Sequence, residues 1–453
     1  PQKKTVVNMA PADLKKEGAV YDLPIALGIL GATDQIKKDK IEDFLIMGEL
    51  SLDGKIQPIK GALPISILAK KSGFKGIILP TENANEAAIV SDIEVYGFNN
   101  ITEVIDFCNG SKKTEPICIN TRDLFIENLN NPEFDFSDVK GQENIKRAME
   151  IAAAGGHNLI LIGPPGAGKT MLAKRFSSIL PPMTLYEALE TTKIHSVAGK
   201  LGTEHGLVAQ RPFRNPHHTI SDVALIGGGT NPQPGEVSMA HNGVLFLDEL
   251  PEFKRTVLEV LRQPLEDRNV SISRAKFSVN YPASLTLVAS MNPCPCGYYN
   301  HPEKECICPG GSVQKYLNKV SGPLLDRIDL HVEVAPVSFE QLANSKPSEK
   351  SNSIRERVVS ARKIQTKRYN KTKVNCNAEM NSNQLESCCK LNSECKILLK
   401  NAMNKLDLSA RAYNRILKVA RTIADLDNQK NIHPNHIAEA IQFRSLDRDN
   451  WAG

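Results

Sequence analysis

Eight consecutive residues, "GPPGAGKT", have the types and spacing that suit phosphate chemistry. They are Gly163, Pro164, Pro165, Gly166, Ala167, Gly168, Lys169 and Thr170, and they match G-x-x-x-x-G-K-[ST]. Glycines let successive backbone N–H groups turn toward one anion, at a helix N-terminus that favours negative charge. The motif predicts that Lys169 reaches the β- and γ-phosphates of ATP and that the Thr170 hydroxyl ligates Mg2+. An apolar run, "HNLILIG", leads into the loop and "MLAKRFSSIL" leaves it as a helix, the context the motif requires. A plain glycine-rich turn is the competing reading, and this context disfavours it.

A second stretch, "GVLFLDE", runs an apolar strand into Asp248 and Glu249. In phosphoryl transfer, Asp248 is expected to hold Mg2+, directly or through water. Glu249 is expected to accept a proton from the attacking water. Alone, the pair reads as a solvated strand end; beside a phosphate loop, it completes a hydrolytic site. A third run, "SLTLVASMN", is predicted to lie next to the Asp248 strand. Its tip, Asn292, would then hydrogen-bond the γ-phosphate or the water; a capping asparagine is the alternative.

Directly after Asn292 come two C-x-C pairs, Cys294 with Cys296 and Cys306 with Cys308. Four thiolates so close suit a tetrahedral, structural Zn2+ site, although C-x-C is tighter than the usual spacing. His301 is a substitute ligand, and free buried thiols are the competing state. The cysteines at 108, 118, 376, 388, 389 and 395 show no framework spacing, so a reduced, cytoplasmic protein is expected.

The elements that must position these residues follow from the pattern. A chain of 453 residues, 41% hydrophobic, has room for several cored domains. Its net charge of +5 permits a polyanionic partner without demanding one. No apolar run approaches the ~20 residues that span a bilayer, so no membrane partner is expected. The first residues lack a cleavable apolar segment, and the chain is expected to start inside a domain. Residues 1–108 mix short strands and helical runs, as a small α/β domain; 109–135 read as a linker. From 136 to 338 strands alternate with helices, which predicts a mostly parallel sheet. Residues 339–378 form a loop and a basic helix, and 379–453 are helical by period.

Taken with "GVLFLDELPEF", "LVASMNPCPCGYY", "GPLLDRIDLHVEV" and "SARAYNRILKVARTIADL", this chain resembles the magnesium-chelatase-like AAA+ ATPases, within them the competence-protein group, over nearly its whole length. The resemblance implies a P-loop AAA+ parallel-sheet core with a C-terminal helical lid. It also implies a ring of identical subunits, a hexamer, in which Arg327 is an arginine finger entering the neighbour's site. Arg411 matches the lid arginine that contacts the γ-phosphate, with Arg415 the runner-up. Surface arginines are the bland alternative for both. An insertion and a hairpin are implied near "NPHHTISDVALIGGG" and "ISRAKFSVNYPAS", with Arg274 and Lys276 touching a polymer in a central pore. His217 and His218 read as loop residues. The cysteine loop would link ATP state to a surface at the ring face or pore.

The implied partner is single-stranded or branched DNA, and the implied activity a helicase that moves branch points during recombination of incoming DNA. The residues themselves add only the mild charge and the helix "IRERVVSARKIQTKRY", with Arg355, Arg357, Arg362, Lys363, Lys367 and Arg368. A solvated charged face explains that helix equally well. A chelatase motor subunit and a passive scaffold are the alternatives. The N-terminal stretch resembles part of the Lon protease fold, without its first strands. The catalytic Ser and Lys positions fall near Val20 and Leu63, neither of which does acyl chemistry.

Overall fold

The computed structural model describes residues 5–9, 19–37, 39–128, 134–201, 206–229, 231–273, 278–301, 303–336, 348–370, 372, 374–406 and 408–444. They group into two compact units, Pro1–Asn130 with Met183–Gln210, and Asn131–Pro182 with Arg211–Gly453.

In the first unit, β1 (Phe44–Ile46), β2 (Gly76–Pro80) and β3 (Glu94–Phe98) form a parallel sheet in that order. β2 is buried at every position, so "GIILP" is continuously apolar rather than alternating. Val20 lies in a short 3-10 turn, and Leu63 is fully buried near the start of the helix Ala62–Lys71. The Leu63 amide donates to Glu86 Oε1 at 2.7 Å, and the Ser196 hydroxyl donates to the same oxygen. Position 63 is thus a packing position beside a buried carboxylate. Ser196 belongs to the helix Leu185–Ala198, opened by a capping box between Thr184 and Glu187. Met183 and Ala188 pack with Leu63, Ile89 and Leu207. The chain therefore leaves the second unit after Pro182 and returns to it at Arg211.

The second unit includes the strands β4 (Leu159–Ile162), β5 (Phe213–Arg214), β6 (Val244–Leu247), β7 (Asn269–Ser273), β8 (Ser278–Pro282), β9 (Thr286–Met291) and β10 (Leu330–Glu333), besides a short antiparallel pair, Gly227–Gly228 with Gln233–Pro234. Five make one parallel sheet in the order β10-β4-β9-β6-β5. β7 and β8 are an antiparallel hairpin outside it, in the stretch where a hairpin is expected. Arg274 and Lys276 lie outside the described residues. Alternation along the strands divides the core. Leu159, Leu161, Val244, Phe246 and Val288 enter one cluster, and Ile160, Ile162, Leu245, Leu247 and Leu287 the other. Both faces are covered, as a parallel sheet requires.

The C-terminal helices join the first of these clusters through Ile416, Ala420, Ile423 and Ile437. Asn381, Asn392 and Ser409 each accept an amide hydrogen at a helix start, worth about 1 kcal/mol apiece. The basic helix Ser351–Arg368 buries Ile354, Val358, Ala361 and Gln365. Arg357 pairs with Glu150 and Glu349, Arg362 donates to the Ala153 carbonyl at 3.1 Å, and Arg368 pairs with buried Asp425. These three cations hold the fold together, which favours the structural reading of that helix. Among the described residues, no helix is long and apolar enough to cross a membrane.

Candidate nucleotide site

The register of the sheet brings the polar residues together. Met291 sits opposite Ile162, so Asn292 emerges beside Gly163; Leu247 sits opposite Ala289, so Asp248 emerges beside Ser290. Gly163, Asp248 and Asn292 leave the sheet at its carboxyl edge, where open α/β sheets bind ligands, and Ser290 is the penultimate residue of β9 beside them. Gly163 is required there: a Cβ would stand 2.3 Å from the Val334 carbonyl oxygen just past β10. Lys169 opens the helix Lys169–Ile179 and folds back over the loop. Its Nζ donates to the carbonyls of Gly163 at 2.7 Å and Pro164 at 2.9 Å, and to Asn292 Oδ1 at 3.0 Å. Burial lowers the Lys169 pKa, while the Asp248 and Glu249 carboxylates pull it up.

Thr170 Oγ1 donates to Asp248 Oδ2 at 2.8 Å. A hydroxyl and a carboxylate in contact are the hard oxygen donors that suit Mg2+. The other Asp248 oxygen accepts from the Ser290 hydroxyl and, at 3.1 Å, from the Glu249 amide. Glu249 adopts φ 53°, a left-handed conformation that costs an L-residue roughly 1–2 kcal/mol. Its carboxylate lies 3.8 Å from His218 Nδ1. Glu249 and Asn292 both line a pocket of about 470 Å³ that also exposes Lys315 and Lys319.

The arginines form a second group. Arg327 donates to the Pro323 carbonyl at 2.6 Å and to the Glu266 carboxylate. Arg411 pairs with Asp326 at 3.1 Å, and Arg415 with buried Asp329 at 2.8 Å. All three line one cavity of about 280 Å³.

Known proteins match this sequence. The family described as "Magnesium chelatase, subunit ChlI" matches residues 135–342, its C-terminal part matches 348–444, and "Subunit ChlI of Mg-chelatase" matches 1–83. The competence protein ComM of Haemophilus influenzae is 45% identical over 99% of this chain and 87% of its own length. YifB of Escherichia coli is 43% identical over 99% and 86%. The chain belongs to the magnesium-chelatase-like AAA+ family, with the ComM and YifB proteins. A narrower likeness, 32% identity over 157 residues to Lon protease 2 of Bacillus subtilis, covers 32% of this chain.

As a member of this family the chain is an ATPase that uses ATP and Mg2+. Of the residues singled out in the sequence, Lys169 meets Asn292 directly and Thr170 meets Asp248 directly. Ser290 was not anticipated, yet its position two residues before Asn292 puts it on the same strand face. His218, read as a loop residue, stands beside Glu249; no spacing in the sequence signals that. The cysteine loop also keeps its residues together. The four sulfur atoms of Cys294, Cys296, Cys306 and Cys308 all lie within 4.8 Å of one another.

Proposed function

We propose that this chain is an ATP-driven ring motor on DNA, a helicase that moves branch points during recombination of incoming single-stranded DNA. The observation that carries the ATPase half is the joint made by Lys169 with Asn292 and Thr170 with Asp248. Lys169 would bind the β/γ-phosphates in place of its present carbonyl partners. Thr170 and Asp248 would hold Mg2+, which when bound neutralises phosphate charge. Glu249 takes the proton of the attacking water, and Asn292 orients that water or the γ-phosphate. Arg327 acts as the finger toward a neighbouring subunit of a hexamer, and Arg411 as the lid arginine. The first unit acts as an inactive Lon-like domain, since Val20 and Leu63 stand where the chemistry is needed. The cysteine loop holds structural Zn2+.

The DNA half rests on the competence role named for the Haemophilus relative and on the chain's net charge of +5. The chelatase reading is weaker. Likeness to the magnesium-chelatase 38 kDa subunit of Cereibacter sphaeroides is 25% identity over 35% of this chain. The test is the ATPase rate with and without single-stranded DNA at two salt concentrations. Stimulation that fades at high salt is expected; a rate indifferent to DNA at both salts overturns the DNA reading.

A further inference from the structure

Cys294 and Cys296 stand between two contacts with the phosphate loop. On one side is Asn292, whose Oδ1 accepts from Lys169 Nζ at 3.0 Å. On the other is Gly297, at φ +85°, where a Cβ would fall 2.5 Å from Pro165 Cδ and 2.9 Å from its Cγ. The turn between them is closed by a Gly297 amide bond to the Cys294 carbonyl at 3.0 Å. Cys294 is fully buried, and its Sγ accepts from the Tyr299 amide at 3.3 Å. Such amide–sulfur bonds are typical support for metal thiolates.

The sulfur geometry suits a single ion. Zn–S bonds of about 2.3 Å in a tetrahedron set neighbouring sulfurs about 3.8 Å apart. Here Cys294 to Cys296 is 3.3 Å, Cys294 to Cys306 is 3.8 Å and Cys296 to Cys306 is 3.6 Å. Cys308 completes the set within 4.8 Å. Resting on the ATP reading of the phosphate loop, we infer that Zn2+ held by these four cysteines and nucleotide held by the phosphate loop strengthen each other's binding, through Gly297 on Pro165. The ion fixes where the turn after Cys296 lies, and that turn is the floor on which Pro165 rests. Binding coupling is reciprocal, so nucleotide must tighten Zn2+ by the same factor.

The test uses the full chain. Zinc content is measured first. Affinity for a fluorescent, non-hydrolysable ATP analogue is then compared for the zinc-loaded chain, the chain stripped by a chelator, and the stripped chain with Zn2+ restored. One zinc per chain is expected, with binding of the analogue roughly tenfold weaker after stripping, within the range of coupled sites, and recovered on restoration. Cys306→Ser is expected to lose the zinc and show the stripped affinity. Gly297→Ala separates metal from coupling: it keeps its zinc, which reports an intact loop, yet binds the analogue about tenfold more weakly. No zinc, with four titratable thiols, overturns the metal site. One zinc with equal affinities throughout, or no recovery on restoration to a chain that still melts cooperatively, overturns the coupling. A zinc-loaded chain with no affinity for the analogue strikes the nucleotide reading instead.

Discussion

Lys169 and Asn292 are joined across neighbouring strands, Nζ to Oδ1 at 3.0 Å, although 123 residues separate them. The bond places the strand tip beside β4 in contact with the amine proposed to bind the phosphates. On the proposed mechanism, Lys169 turns to phosphate when nucleotide binds, and Asn292 is released to hold the water or the γ-phosphate. Asn292→Ala should therefore lower kcat by about 10–100-fold, roughly 1.4–2.7 kcal/mol of barrier, while the dissociation constant for ATP stays within a few-fold. A variant whose kcat is unchanged would show that Asn292 only packs.

Lys169→Ala should fail earlier. Without the amine, the two loop carbonyls at Gly163 and Pro164 remain while the positive charge is gone. Titration with a fluorescent ATP analogue should show binding lost or weakened by well over tenfold, as expected for removing a charge-assisted contact. Retained wild-type affinity would remove Lys169 from the cradle.

The phosphate loop was legible because its chemistry is local. Eight contiguous residues sit between an apolar strand and a helix, and the pairing of β6 with β9 followed from two apolar runs that end in polar residues. What the sequence hid depends on distant contacts. Nothing near Met183 announces that Leu185–Ala198 will pack on Leu63 and Ile89, because its apolar positions suit either unit. The meeting of Arg411 with Asp326, next to Arg327, spans 85 residues and has no local signature. Gly297 reads as a turn residue, and only packing shows Pro165 against it.

Arg327 is held by Glu266 and the Pro323 carbonyl. If it serves a neighbour's site, it must exchange Glu266 for phosphate there. Arg327→Ala should keep nucleotide binding and lose turnover by about 10³-fold or more. Mixed with Lys169→Ala subunits, which bring an intact finger, it should recover part of the wild-type rate. Mixed rings that form yet hydrolyse no ATP would argue against a shared site.

Thermal stability should fall as pH drops below about 6.5. His157 is wholly buried, and burial lowers its pKa even though Asp329 pulls the other way; burial, then Arg444, lowers that of His331. The unfolded chain therefore binds more protons than the folded one in this range, and stability rises with pH. Asp329 has the same sign. Burial raises its pKa, but Arg415 and His157 more than offset this and hold it well below the usual carboxylate range. Its contribution is complete above about pH 4 and is lost in stronger acid. Melting temperatures read between pH 5 and 8 should rise toward neutrality; a flat profile would show that these histidines are not buried neutral.

The most direct measurement is the ATPase rate of wild type and Glu249→Gln, each with and without single-stranded DNA, alongside the dissociation constant for ATP. Wild type is expected to hydrolyse ATP with Mg2+ and to be stimulated by DNA. Glu249→Gln should bind ATP as well as wild type yet turn over at least about 100-fold more slowly in both conditions. Near-wild-type turnover in Glu249→Gln would contradict the assignment of the base, and a wild-type rate indifferent to DNA would contradict the motor.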